Sequence, residues 1–95
     1  MLIIHMSDKM KIKNVEVITY PEGNKGVEVK YIDEDGDERK SCFDGDEWLK
    51  KENGEYKFIK RLRENWKGIK KSKHELNIDV KKTKLNEFKN KEVKV

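Results

Sequence analysis

The chain contains no alanine and no glutamine, and it has one cysteine, one proline and two histidines. A lone Cys42 excludes an intramolecular disulfide, so the fold does not call for an oxidising compartment. Two histidines and one cysteine leave no zinc ligand set. Long apolar runs are also missing: the opening Met1–Met6 is too short for a signal peptide or a membrane span, and no basic leader precedes it. These absences predict a soluble, cytoplasmic protein with no membrane contact, residues 1–10 being a flexible leader on one small domain spanning 1–95. Arginine is scarce as well, at 3 against 20 lysines. That ratio, with the missing alanine, is what an AT-rich coding sequence produces, so part of the lysine content reports codon usage.

Leu, Ile, Val and Phe total 23 of 95 residues, enough for a small core and above the range of disordered chains. Val15 and Val17 alternate with Asn14, Glu16 and Ile18, which reads as a strand over 12–20. Pro21 to Gly26 reads as a loop, and Val27, Val29 and Tyr31 mark a second strand. Asp35-Gly36 signals a two-residue hairpin turn, which would set Tyr31 opposite Lys40 and Val29 opposite Cys42 in a third strand. A short helix is expected over 46–52, capped by Asp44 or Asp46, carrying Trp48 and Leu49 inward and stopped by Asn53-Gly54.

The strongest helical pattern runs from Tyr56 to Lys71, where Phe58, Ile59, Leu62, Trp66 and Ile69 share one face. Leu76, Ile78 and Val80 suggest a fourth strand. Thr83 is a candidate cap for a short helix bearing Leu85 and Phe88, a strand being the alternative, and Val93 and Val95 suggest a last strand or tail. The expected fold is α+β: a three-stranded antiparallel meander, a short and a longer amphipathic helix, one further strand and a C-terminal segment of open conformation.

Charge is divided along the chain. Residues 1–55 hold 9 basic and 14 acidic side chains, a net of −5, whereas 56–95 hold 14 and 5, a net of +9. The polar face of the long helix gathers Lys57, Lys60, Arg61, Arg63, Lys67, Lys70 and Lys71, with Glu64 as the interrupting acid. Such a face suits phosphate backbones through counterion release, or an acidic protein surface. Because lysine acts as a point charge, backbone contact without base reading is the expected mode. The opposite candidate is the acidic hairpin Asp33, Glu34, Asp35, Asp37 and Glu38, which would fit a basic groove on a partner. Its spacing fails the calcium-loop pattern, since Glu38 stands where glycine is needed.

No catalytic or cofactor signature emerges. Cys42 sits among strand residues as an inert thiol, and pairing with His74 would require a tertiary accident. Gly23, Gly26 and Gly36 serve turns rather than a phosphate loop. Trp48 and Trp66 lie on apolar stripes, whereas Tyr20, Tyr31 and Tyr56 are candidates for exposure and base stacking. A non-enzymatic protein is expected, with a protein or nucleic acid as partner and an oligomeric state that the sequence does not determine.

Three meander strands followed by a helix resemble, in outline, the arm-binding domains of phage integrases, whose sheet enters the major groove. That resemblance implies basic outward strand residues, but Glu16 and Glu28 stand at such positions here. In size and composition the chain looks like small inhibitor proteins of phages and mobile elements, anti-CRISPR proteins among them. This likeness implies an inhibitor of a nucleic-acid-handling enzyme that acts by occupying a charged groove.

Overall fold

The computed structural model describes residues 9–33, 35–64 and 79–94. Its frame is an antiparallel sheet built on one long strand, β1 (Lys9–Thr19). On one side β1 pairs with β2 (Lys25–Ile32), which pairs with β3 (Glu38–Asp44). On its other side β1 pairs with two short strands in line, β6 (Lys81–Lys84) and β7 (Lys91–Lys94). Between β3 and β6 lie a 3₁₀ turn (Asp46–Leu49), a hairpin of β4 (Lys51–Glu52) and β5 (Glu55–Tyr56), and helix α1 (Lys57–Glu64).

β1 carries apolar side chains inward at Met10 and Ile12, then again at Val15, a spacing that strict alternation forbids. A bulge between Ile12 and Asn14 inserts the extra residue and restores the inward face. Met10 and Ile12 are fully buried, so the sheet takes in the last two residues of the expected leader. Val15, Val27, Val29 and Tyr31 complete the inner face of the sheet. Phe58, Ile59 and Leu62 from α1 close over it.

Opposite the bulge the outer strand is also broken. Leu85 N–H donates to Val15 O at 2.8 Å and Asn90 N–H to Lys13 O at 3.3 Å, and between them a 3₁₀ turn (Asn86–Phe88) leaves the ladder. This detour puts Phe88 into the core, edge-on to Phe58 at 5.5 Å and tilted to Tyr56 at 5.8 Å. Asn90 ends it with a positive φ of 55°, a conformation that asparagine tolerates well.

Several expectations are corrected. The layout of a meander followed by two helices gives way to a mostly β fold, with one α-helix among the described residues, a five-stranded sheet and a separate hairpin. The description α+β survives only loosely. The segment 46–52 is not a helix: neither Asp44 nor Asp46 caps it, since Asp46 accepts Lys25 N–H at 2.6 Å and Asp44 accepts the Tyr20 hydroxyl at 2.6 Å. Asn53-Gly54 does not stop a helix but forms the two-residue turn between β4 and β5, both residues having the positive φ that a type I′ turn requires. Thr83 lies in β6 rather than at a cap. The end of the long helix, with Trp66 and Ile69, and the strand residues Leu76 and Ile78 lie outside the described residues.

The β2–β3 register is also one residue away from the expected one. Asp33 N–H donates to Asp37 O and Gly36 N–H to Asp33 O, so the loop holds three residues rather than two. A one-residue slip turns every β3 side chain over. Tyr31 therefore faces Arg39 and Val29 faces Ser41, while Lys40 and Cys42 move to the sheet face away from α1. The acid that causes the slip is Asp33. Its Oδ1 accepts the N–H groups of Asp35 and Asp37, and its Oδ2 binds Arg39 Nε at 2.7 Å, so the turn closes around its carboxylate.

Candidate interaction surfaces

Helix α1 starts directly after β5 because Phe58, Ile59 and Leu62 recur at the spacing of one helical face, and all three are buried. That docking turns the polar face outward, but toward the carboxylates of the β4–β5 hairpin. Lys60 Nζ lies 4.0 Å from Glu52, and Arg63 pairs with Glu55 while its Nε donates to the Lys94 carbonyl at 3.1 Å. Lys57, Lys60 and Arg61 line a 290 Å³ depression beside Trp48, together with Glu47, Glu52 and Glu64. Lys57 is half-buried and Arg61 exposed. Within the described helix the surface is therefore of mixed sign. Lys67, Lys70 and Lys71 lie outside the described residues.

The acidic loop is built differently. Arg39 beside Asp33 holds its carboxyl below the usual aspartate range, and the backbone N–H groups of Asp37 and Asp35 add to the effect. Asp33 is thus a structural residue. Asp35, Asp37 and Glu38 are exposed, and none of them joins an ion pair found among the described residues. Glu34 lies outside the described residues.

The sheet face away from α1 has no local signature in the sequence, because its composition depends on the β3 register. Lys30 faces Lys40 across β2 and β3, and Glu16 faces Glu28 across β1 and β2, like charges directly opposite in both rows. Diagonal pairing resolves the repulsion. Glu28, only 4% exposed, receives Lys40 at 3.3 Å and Lys82 at 3.4 Å on the same oxygen, with Cys42 Sγ 3.9 Å away. At the end of this face Tyr20 lies over Gly26, where a Cβ would meet the Phe43 carbonyl at 3.0 Å and the tyrosine ring at 3.4 Å. Burial, then the Asp44 carboxylate, pushes the Tyr20 hydroxyl up to about 12.

The tyrosines do not form an exposed stacking platform. Tyr31 is buried, and Tyr56 precedes the helix, half-buried against Phe58 and Phe88, its hydroxyl pushed up by burial and then by Glu87. Among the described residues no cluster of three or more His, Cys, Asp or Glu is placed to hold a metal ion, and no helix is long and apolar enough to cross a membrane. No family model matches the chain, and no curated protein or solved structure is detectably similar to it.

Proposed function

We propose that the protein is a non-enzymatic interaction protein whose acidic β2–β3 loop occupies a basic groove on a macromolecular partner, as an inhibitor of a nucleic-acid-handling enzyme would. One observation carries the reading: Asp33 fixes the loop backbone with its own carboxylate, leaving Asp35, Asp37 and Glu38 exposed on a tied turn. Preorganised carboxylates lose little entropy when a cationic groove closes on them, and long-range attraction speeds their encounter with it. The alternative, direct sequence-tolerant binding of DNA or RNA by the basic helix, is less well supported because Lys60 and Arg63 are already paired within the fold.

A capture experiment separates the two. The wild-type chain and an Asp35→Asn/Asp37→Asn/Glu38→Gln variant serve as baits for purified nucleases and other nucleic-acid enzymes, with and without competing DNA. The reading expects capture by the wild type, loss with the variant, and displacement by DNA. Capture that ignores loop charge defeats it. So does a steep salt-dependent shift of labelled oligonucleotide by the protein alone, which would establish the helix reading.

A further inference from the structure

A cleft of about 320 Å³ is lined by the β4–β5 hairpin, the first turn of α1, the Asn86–Phe88 turn and β7. Its volume lies near the lower limit of small-molecule sites. The apolar part of the lining is Tyr56, Ile59, Phe88 and Val93. Ile59 and Phe88 are buried, and Tyr56 and Val93 half-buried, so the core itself sets this surface. Tyr56 and Phe88 are inclined at 59° with centres 5.8 Å apart, and both pack on Phe58. The two rings are therefore fixed before any ligand arrives.

Charge around the cleft is unbalanced. Each of its carboxylates is engaged: Glu55 pairs with Arg63, Glu92 with Lys9 at 3.8 Å, and Glu87 accepts the Tyr56 hydroxyl. Two of these three acids thus meet cations that do not line the cleft. The cleft's own cations, Lys51, Lys91 and Lys94, are exposed and join no ion pair found among the described residues. Lys51 Nζ lies 4.7 Å from the centre of the Tyr56 ring, and Lys91 Nζ 5.4 Å from that of Phe88. Attraction to the ring faces holds both ammoniums at the margin of the aromatic surface.

We propose that this cleft binds a small aromatic anion, its ring against Tyr56 and Phe88 and its acid group met by Lys51 and Lys91. Aromatic rings prefer offset or edge-on contacts, which an inclined pair of fixed rings offers to a third. An aliphatic or inorganic anion forgoes those contacts, and an aromatic cation is repelled by the ammoniums. The site shares no residue with the acidic β2–β3 loop and stands whether or not that loop binds a partner.

Three probes test the proposal by NMR on the wild-type chain: 2-naphthoate, acetate and 2-naphthylmethylammonium. Naphthoate should shift the Ile59 and Val93 methyls and the Tyr56 and Phe88 rings saturably, with a dissociation constant on the order of 1 mM. At equal concentration the other two should leave these signals in place. Lys51→Glu/Lys91→Glu should weaken naphthoate binding roughly tenfold, because two attractive charges become repulsive. Naphthoate shifts that are absent up to about 10 mM, or scattered over the chain, overturn the proposal. So does an equal response to acetate or to the ammonium, and these results need no variant. A folded double variant that binds naphthoate as tightly as the wild type overturns the role of the two lysines.

Discussion

Glu28 allows a test in which the same ion pair gives opposite answers depending on which end is removed. Its carboxylate is buried, whereas Lys40 and Lys82 retain 42% and 35% side-chain exposure. Replacing Glu28 with Met removes the buried charge and leaves two ammoniums that can swing into water. It also ends the direct opposition to Glu16. Buried ion pairs replaced by apolar residues of similar volume are often neutral or stabilising, so Glu28→Met should change stability by less than about 1 kcal/mol. Removing both lysines does the reverse, stranding a desolvated carboxylate. An orphaned buried charge costs about 3–5 kcal/mol, and partial solvent access at this site argues for the lower end, about 3 kcal/mol. Each single lysine variant should cost much less, because the other ammonium remains on the same oxygen. At roughly 4–8 °C per kcal/mol for a domain of this size, Lys40→Met/Lys82→Met should lower Tm by about 12–24 °C. Adding Glu28→Met to that pair should restore most of the loss. Urea titrations and thermal melts of the five variants read all of this. If Glu28→Met costs as much as the double lysine variant, or the triple variant recovers nothing, the carboxylate is not acting as a buried charge.

Other perturbations have equally definite outcomes. Phe88→Ala removes the ring that locks the outer strand onto Phe58 and Tyr56 and should cost about 3–5 kcal/mol in urea titration, a large share of the total for a chain this short. Gly54→Ala forces a Cβ into a φ of 79° and should cost about 1 kcal/mol, measured the same way. The folded-state pKa of Asp33 is lowered, so its contribution is complete above the ordinary value of 3.8 and is lost as pH falls below it. NMR titration should place Asp33 below the ordinary aspartate value, and Arg39→Met should bring it back up. For Tyr20 the folded pKa is raised, so its contribution holds at neutral pH and fades as pH climbs from 10 through about 12. Tyr31 and Tyr56 are raised as well, so the tyrosinate absorbance of Tyr20→Phe subtracted from that of the wild type should isolate an ionisation near 12.

What could be read from the sequence was local, and what could not depended on partners distant in the chain. β1 and β2 announce themselves by alternation, β3 by the Asp35-Gly36 hairpin signal, and Phe58, Ile59 and Leu62 by helical spacing, because each pattern needs only its own neighbours. Asn53-Gly54 is ambiguous at that level: the same dipeptide ends helices and turns hairpins, and the choice falls to tertiary packing of the short strands it joins. Asp35-Gly36 misleads for a different reason. A two-residue turn fits its sequence, but Asp33 captures two backbone N–H groups and Arg39, which favours the longer loop and reverses the faces of β3. The Lys81–Lys84 strand carries no apolar alternation at all. It is held by backbone pairing to β1 and by Lys82 reaching Glu28, neither of which periodicity detects.

The opposed charge of the two halves has its explanation in the same long-range pairing. Lys82, Lys60 and Arg63 come from the basic half, and their partners Glu28, Glu52 and Glu55 come from the acidic half. The sheet requires this meeting, since β6 and β7 from the end of the chain flank β1 from its beginning. A basic segment placed next to an acidic one is attracted before any backbone bond forms, and wrong pairings within one half are penalised by like charge. The asymmetry that first suggests an external polyanion therefore acts in part within the molecule, selecting which segments meet. It follows that the cations available to a partner are those left over after this internal matching. Counting cations along the helix overstates them, because Lys60 and Arg63 are already engaged. The same reasoning raises the weight of Asp35, Asp37 and Glu38, which join no ion pair found among the described residues and are exposed on a turn that Asp33 holds in place.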